Sequence, residues 1–422
     1  MNIRVRPHHS LSGEIVAPPS KANTHRALIA ALFSAGITEL VNPLECDDTN
    51  ATANAVTALG AKVNRETNNW SVKSNGTLSV PQHSINCGES GVTLRFMIPI
   101  VSLTGERVSL TPSKNLMRRP LKPLEEALKQ LQVNVITKRD SILVDGRPRG
   151  GTANLRGDVS SQFVSGLLFA GSLMDKGLDL ELTTPLESRN YVALTIEIMR
   201  QHGVEVDSNP EMTRIRVAPG QKYLPAKHII HGDYSSAAFT LAAAAITHST
   251  VRVRDLRQSQ SEPDAIILQI LSQMGASTKF LEDDVVLEGS HLKGTLVDIH
   301  DSPDLGPILA VLGCYGEGET RITGAARLRY KESDRLAAIT SELGALGARI
   351  TQAENELVIQ GPSRLQGGVV RSHNDHRIAM ALTIAALGAS TDVIITDTEC
   401  ISKSYPNFFG DLKSLGVEII EE

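Results

Sequence analysis

Two textures of apolar sequence alternate along this chain. Some stretches are apolar on every side, such as Phe239-Thr240-Leu241-Ala242-Ala243-Ala244-Ala245, which predicts a helix buried on most of its surface. Others are apolar on one face. Leu121, Leu124, Leu128 and Leu131 fall at i, i+3, i+7 and i+10, a single stripe along an α-helix. The one-faced helices end in a recurring phrase, after which a β-branched strand begins. It reads Leu59-Gly60-Ala61-Lys62-Val63, Leu131-Gln132-Val133-Asn134-Val135 and His202-Gly203-Val204-Glu205-Val206. It returns as Met274-Gly275-Ala276, Leu346-Gly347-Ala348-Arg349-Ile350 and Leu415-Gly416-Val417-Glu418-Ile419. The central positions are 60, 132, 203, 275, 347 and 416, so the spacings are 72, 71, 72, 72 and 69 residues. All but Gln132 are glycine, the residue that closes a helix in the left-handed conformation at least cost.

Midway between these positions a polar, turn-like cluster opens each all-round apolar helix. The clusters lie at residues 19–26, 88–95, 157–162, 232–236, 301–306 and 373–377. The pattern predicts six copies of one α/β unit, each with a buried helix and a surface helix, three copies to a domain. Asp48 or Thr49 is expected to cap the helix that Gly60 ends, and Ser261 with Pro263 to open the one that Gly275 ends.

The buried helices begin with charge, which buried helices ordinarily avoid. Lys21 and Arg26 open one, Arg95 another, and His376 with Arg377 a third, while Ser160, Ser161 and Gln162 open a fourth. Helix N-termini already present unpaired N–H groups and positive dipole ends. Cations added there call for an anion such as phosphate or carboxylate. Arg119, Lys331, Arg335 and Lys403 extend the set. A single arginine is accounted for by a surface salt bridge; a set at repeating positions predicts a cleft that holds multiply charged anions.

Composition narrows the field. The chain has 422 residues, enough for two domains, and a formal net charge of -5 with 4% aromatic residues. Neither a basic field nor base-stacking platforms recommend nucleic acid as a partner. Cys46, Cys87, Cys314 and Cys400 form no CxxC pair, which fits a reducing compartment and disfavours a zinc ribbon. The N-terminus has no apolar signal core and no apolar run approaches a bilayer span, so a cytoplasmic protein is expected. No GxxxxGK[ST] loop or strand-linked GxGxxG is present. His373 and His376, read as i, i+3 on one helix, have no third metal ligand; no metal is expected.

At this level the motifs become recognisable. Pro19-Ser20-Lys21 with His25-Arg26, Ser90-Gly91 with Thr93 and Arg95, Arg118-Arg119-Pro120 and Ser160-Ser161-Gln162 run in order. Ser188 with Tyr191, Pro303-Asp304, Lys331-Glu332-Ser333-Asp334-Arg335, Asn374-Asp375-His376-Arg377 and Ser402-Lys403-Ser404-Tyr405-Pro406 follow. Together they resemble the enolpyruvyl transferases, and among them the 5-enolpyruvylshikimate-3-phosphate synthases. The resemblance implies transfer of the enolpyruvyl group of phosphoenolpyruvate to the 5-hydroxyl of shikimate 3-phosphate, with release of phosphate. The reaction proceeds by addition and elimination through a tetrahedral intermediate, without a cofactor, in a family that glyphosate inhibits. It implies two inverse α/β-barrel-like domains of three βαβαββ units each, with an interdomain active-site cleft. Residues 15–228 would form one domain, and 1–14 with 229–422 the other, in a monomer.

Carried over by motif, the shikimate 3-phosphate site comprises Lys21, Ala22, Arg26, Ser160, Ser161, Gln162, Ser188, Tyr191, Asp304, Arg327 and Lys331. The phosphoenolpyruvate site comprises Lys21, Gly91, Arg119, Gln162, Arg335, Arg377 and Lys403. Asp304 is the implied base, Glu332 the implied acid, and Lys21 an assistant to either; Arg95, Glu89 and His376 complete the cleft. Ala22, Glu89, Val92 and Arg327 depart from the usual Ser, Asn, Thr and Asn-like residues. Arg327 is expected to offset the hydroxyl lost at Ala22 with a charged contact to the substrate phosphate. Two rival readings share parts of this pattern. A UDP-N-acetylglucosamine enolpyruvyl transferase usually carries a loop cysteine, absent from Pro112–Pro120. A non-catalytic anion-binding protein on the same scaffold would lack an acid and base such as Asp304 and Glu332.

Overall fold

The computed structural model describes residues 1–258 and 262–422. Its repeat is plainest in the unit from Ile85 to Asp145. Strand Ile85–Gly88 leads through helix Gly91–Ser102 to the parallel strand Val108–Pro112. Helix Lys122–Gln130 follows, then a hairpin of Asn134–Thr137 and Ile142–Asp145, whose second strand pairs antiparallel with Val108–Pro112. A parallel pair needs a crossover long enough for a helix, whereas the antiparallel pair needs only a turn. The same order, one parallel pair followed by two antiparallel pairs, recurs in six open four-stranded sheets.

The chain divides into two compact units, Met1–Pro18 with His231–Glu422, and Pro19–Ile230. These crossings fall a few residues beyond the boundaries drawn from sequence, and the N-terminal segment supplies two strands. Ile3–Val5 lies between Val393–Thr396 and Ile419–Glu421, and Ser12–Val16 pairs in parallel with Thr250–Arg254. Lys227–Ile229 pairs with Ala35–Val41, both within the unit Pro19–Ile230.

Each unit has its own apolar core. Helices Tyr234–Ile246 and His376–Leu387 bury every residue, whereas helix Lys122–Gln130 buries only Leu124, Ala127 and Leu128. Where two buried helices meet, Gly166 allows the approach: a methyl group there would lie 2.8 Å from the Arg95 carbonyl oxygen. All six phrase positions take the left-handed conformation, with φ of 107°, 69°, 80°, 110°, 94° and 103° in chain order. Gln132 adopts it despite its Cβ, so register outweighs local preference.

Two local expectations change. Cys46, not Asp48 or Thr49, is the N-cap of helix Asp47–Ala58, and the Thr49 hydroxyl accepts the Cys46 amide at 3.1 Å. His373 lies outside the helix that starts at His376, in a left-handed turn (φ 53°), so the two histidines share no helix face. Ser261 lies outside the described residues; the helix it was expected to open runs Ile266–Gln273. No described helix is long and apolar enough to cross a membrane.

Candidate active site

In the unit Pro19–Ile230, serines open the three buried helices. Ser20, Ser90 and Ser160 are N-caps, their hydroxyls accepting from Asn23, Thr93 and Gln162 amides at 3.3, 3.2 and 3.3 Å. None of these helices has an acidic residue in its first turn. The positive helix ends are therefore not neutralised locally.

Cations sit among them. Arg26 is buried and donates to Thr195 Oγ1 (2.8 Å), the Ala22 carbonyl (2.9 Å) and the Tyr191 carbonyl (2.9 Å). Its guanidinium lies over the rings of Phe96 and Tyr191. All these partners are neutral, and burial pushes its pKa down to about 10. Arg95 is buried over Phe163 and donates to Gln162 Oε1 at 2.7 Å. Lys21 pairs with buried Asp48 at 3.0 Å. A methyl group at Gly91 would lie 2.9 Å from Arg119 Nη1 and 3.1 Å from Arg95 Nη1. Glycine is thus what lets two guanidinium groups converge on this helix start. Ser188 is buried in the left-handed conformation (φ 56°), and its carbonyl accepts the Tyr191 amide at 3.1 Å. Glu89 accepts a long bond from Asn115 at 3.5 Å.

The other unit uses the opposite device. Asp233 and Asp375 are N-caps of their buried helices, and Asp304 lies in the turn Pro303–Leu305 that leads into helix Gly306–Tyr315. Buried Arg335 ties this side together. It donates to Asp375 Oδ2 (2.8 Å) and Oδ1 (3.1 Å), Glu332 Oε2 (2.7 Å) and Asp304 Oδ1 (2.9 Å). Lys331 donates to Asp304 at 3.1 Å, Arg377 lies 3.6 Å from Asp304, and Lys403 lies 3.6 Å from Glu332. His376 is buried with Nδ1 3.8 Å from Asp375. Arg327 donates to the His300 carbonyl at 2.7 Å.

Four cations thus bear on three carboxylates, and charge this dense perturbs titration. Burial alone would raise the pKa of Asp304, but Lys331, Arg377 and Arg335 hold it well below the ordinary carboxylate value. Burial lowers Lys331 to about 8, aided by Arg335 and Arg327 and opposed by Asp304. Burial works against protonated Arg335, yet Asp375, Glu332 and Asp304 raise its pKa. Asp304 is therefore ionised at neutral pH, and Lys331 titrates close to it.

Asp304, Lys331, Glu332, Arg335, Arg377 and Lys403, chosen from sequence, form one contact network. On the serine side, Arg26 with Ala22 and Tyr191, Arg95 with Gln162, and Gly91 with Arg119 form separate small groups. Asp375, Asp48 and Thr195 contact these cations without having been assigned to the site from sequence, Asp48 having been read only as a helix cap. A signal for Asp375 was present: helix-opening positions carry Asp at 233, 304 and 375, and Ser at 20, 90 and 160. No group of three His, Cys, Asp or Glu side chains that could hold a metal ion occurs among the described residues.

Comparison with known proteins accords with this geometry. The family described as EPSP synthase (3-phosphoshikimate 1-carboxyvinyltransferase) matches residues 5–412. A 3-phosphoshikimate 1-carboxyvinyltransferase of Clostridium kluyveri is 39% identical over 413 residues, covering 97% of this chain and 96% of that one. One from Methanocaldococcus jannaschii is 37% identical over 418 residues, covering 97% of each. Among solved structures, an EPSP synthase from Acinetobacter baumannii superposes with a TM-score of 0.84 at 25% identity, covering 100% of both chains. The enolpyruvyl transferase NikO from Streptomyces tendae shares the fold, with a TM-score of 0.81 at 18% identity, covering 99% of this chain and 98% of that one.

Proposed function

The chain belongs to the EPSP synthase family, and we propose from that premise how its residues divide the work. The reaction is transfer of the enolpyruvyl group of phosphoenolpyruvate to the 5-hydroxyl of shikimate 3-phosphate, with release of phosphate. The serine-capped unit supplies the seat of the phosphorylated ring: Ser160, Ser161, Gln162, Ser188, Tyr191 and Arg26, with Ala22 and Lys21 beside them. Serine hydroxyls, helix N–H groups and an arginine with only neutral partners suit a doubly charged phosphate. Arg327 and Lys331 are assigned to the same substrate, Arg327 offsetting the hydroxyl absent at Ala22. Arg335, Arg377 and Lys403, with Lys21, Gly91, Arg119 and Gln162, hold phosphoenolpyruvate.

Asp304 takes the proton of the 5-hydroxyl as that oxygen attacks, and Glu332 delivers a proton to the enol methylene. The elimination that ejects phosphate reverses these roles. The cations stabilise negative charge as it develops in the tetrahedral intermediate. The protein is further proposed to act as a cytoplasmic monomer that glyphosate inhibits.

The observation that carries this reading is the network of Lys331, Arg335, Arg377 and Lys403 around Asp304 and Glu332. An anion-binding scaffold without chemistry would have no use for the two acids. Phosphate release should require both shikimate 3-phosphate and phosphoenolpyruvate, and Asp304→Asn should lower kcat by about 10²-fold or more. Release with UDP-N-acetylglucosamine instead, or near-normal turnover by Asp304→Asn, would count against it.

A further inference from the structure

We propose that Asp264 is a positioning residue for this reaction, seating Arg377 through Ser235 and keeping Asp304 basic enough to take a proton. The proposal rests on Asp304 being the base.

Asp264 is only 1% exposed and takes the left-handed conformation, φ 63°. Aspartate tolerates that region better than most residues, and such backbone strain clusters at functional sites. Its Oδ2 accepts the hydroxyl proton of Ser235. The Ser235 carbonyl accepts from Arg377 Nη1 at 2.8 Å, and Arg377 Nη2 lies 3.6 Å from Asp304 Oδ2. A chain of contacts therefore leads from the Asp264 turn through the first turns of helices Tyr234–Ile246 and His376–Leu387 to Asp304. Neither Asp264 nor Ser235 belongs to the substrate-holding sets above.

The need for such a carboxylate follows from the charges on Asp304. Lys331, Arg377 and Arg335 all favour its ionised form. A base held far below the working pH accepts a proton poorly. A negative charge nearby opposes the cations, as that of Glu332 does, and leaves the base less acidic than the cations alone would make it. The charged groups that act on Asp264 itself are Asp304, Arg377 and Asp233. Burial first, then the charge of Asp304, raises its pKa to about 6, against the Ser235 hydrogen bond and Arg377. Its negative charge is therefore present above about pH 6 and lost below it.

The test is steady-state kinetics of Asp264→Asn beside the unmodified enzyme, with shikimate 3-phosphate and phosphoenolpyruvate, across the neutral pH range. Asparagine keeps the size, the tolerance of the backbone conformation and an acceptor for Ser235. The expected result is a fall in kcat of about 3–10-fold near pH 7.5, with the acid limb of kcat near pH 6 altered. The KM for phosphoenolpyruvate should stay level or fall, because Arg377 loses a neighbouring negative charge. Unchanged kcat, or a raised KM with an unmoved acid limb, would overturn the proposal, the latter marking simple loosening of the fold. Ser235→Ala gives a second readout that serves even if Asp264→Asn does not fold. Losing the hydroxyl should move the limb to higher pH, whereas limbs belonging to substrate phosphates should stay in place; an unmoved limb refutes the idea. Absence of phosphate release from the unmodified enzyme would count against the function and this proposal together. Normal release beside unaffected variants counts against this proposal alone.

Discussion

Replacing Arg26 by methionine should cost almost no stability, although it removes a buried arginine with three hydrogen bonds. The folded protein holds that cation at a penalty. Burial lowers its pKa from 12.5 to about 10, a difference of 2.5 that corresponds to about 3 kcal/mol. The penalty applies at every pH below about 10, since the folded state there carries a charge it disfavours. Against it stand three hydrogen bonds worth about 0.5–1.5 kcal/mol each. The Thr195 hydroxyl is not stranded: its one proton can go to Ser165 Oγ at 2.8 Å or to the Tyr191 carbonyl at 3.0 Å. The two sums nearly cancel, leaving a net change within about 1–2 kcal/mol. Arg335→Met is the contrasting case. It leaves Asp375, Glu332 and Asp304 facing one another without their shared cation, at about 3–5 kcal/mol.

Thermal unfolding followed by circular dichroism, with and without shikimate 3-phosphate, measures both. The unit holding Arg26 spans 212 residues (230 − 19 + 1), and in units of this size Tm moves about 2–4 °C per kcal/mol. Arg26→Met should stay within about 2–8 °C of the parent, and Arg335→Met should fall by about 6–20 °C, further than Arg26→Met at any common slope. At a hundredfold excess over Kd the substrate should add about 2.7 kcal/mol to the parent and much less to Arg26→Met. If Arg26→Met falls as far as Arg335→Met, the account of a cation held at a cost is wrong.

Two further outcomes can be measured on stability alone. Gln132→Gly should stabilise by about 0.5–1 kcal/mol, because it relieves a left-handed residue with a Cβ; a lower Tm would show that register alone fixes that turn. His202 and His228 share an Nε2–Nε2 contact of 2.8 Å, and both are held neutral by burial down to about pH 4. Their folded pKa values lie below the unfolded 6.5, so stability is full above pH 6.5 and drains away as the unfolded chain takes up protons below it. Each histidine contributes about 3 kcal/mol by pH 4. The fluorescence of Trp70, buried in the same unit, should report unfolding in that window, and a signal flat to pH 4 would contradict it.

How much of this could be read from the chain differs by kind of feature. The six-fold period was visible because a helix-ending left-handed residue is a local requirement, met by glycine five times and tolerated by Gln132 once. The buried helices were visible because no solvent-facing stripe interrupts them. The cationic members of the network were visible because charge at the start of an apolar helix has no local justification. Their partners were not. Asp375 serves as helix cap and arginine anchor at once, and the first role is enough to explain an aspartate there. Thr195 and Asp48 lie on surface helices, where a polar residue raises no question. The exchange of strands between the chain's beginning and its later parts was only half legible, because a three-residue strand such as Ile3–Val5 is too short to show a period.

That exchange sets an order of events during synthesis. Residues Pro19–Ile230 form a contiguous unit, able to fold as soon as it clears the ribosome. Ile3–Val5 is made about 416 residues (419 − 3) ahead of one of its partners, Ile419–Glu421. At about 5–20 residues per second it waits roughly 20–80 s for that neighbour. A waiting strand is a hazard in proportion to its length, and three residues is about as short as a strand can be while still closing a sheet.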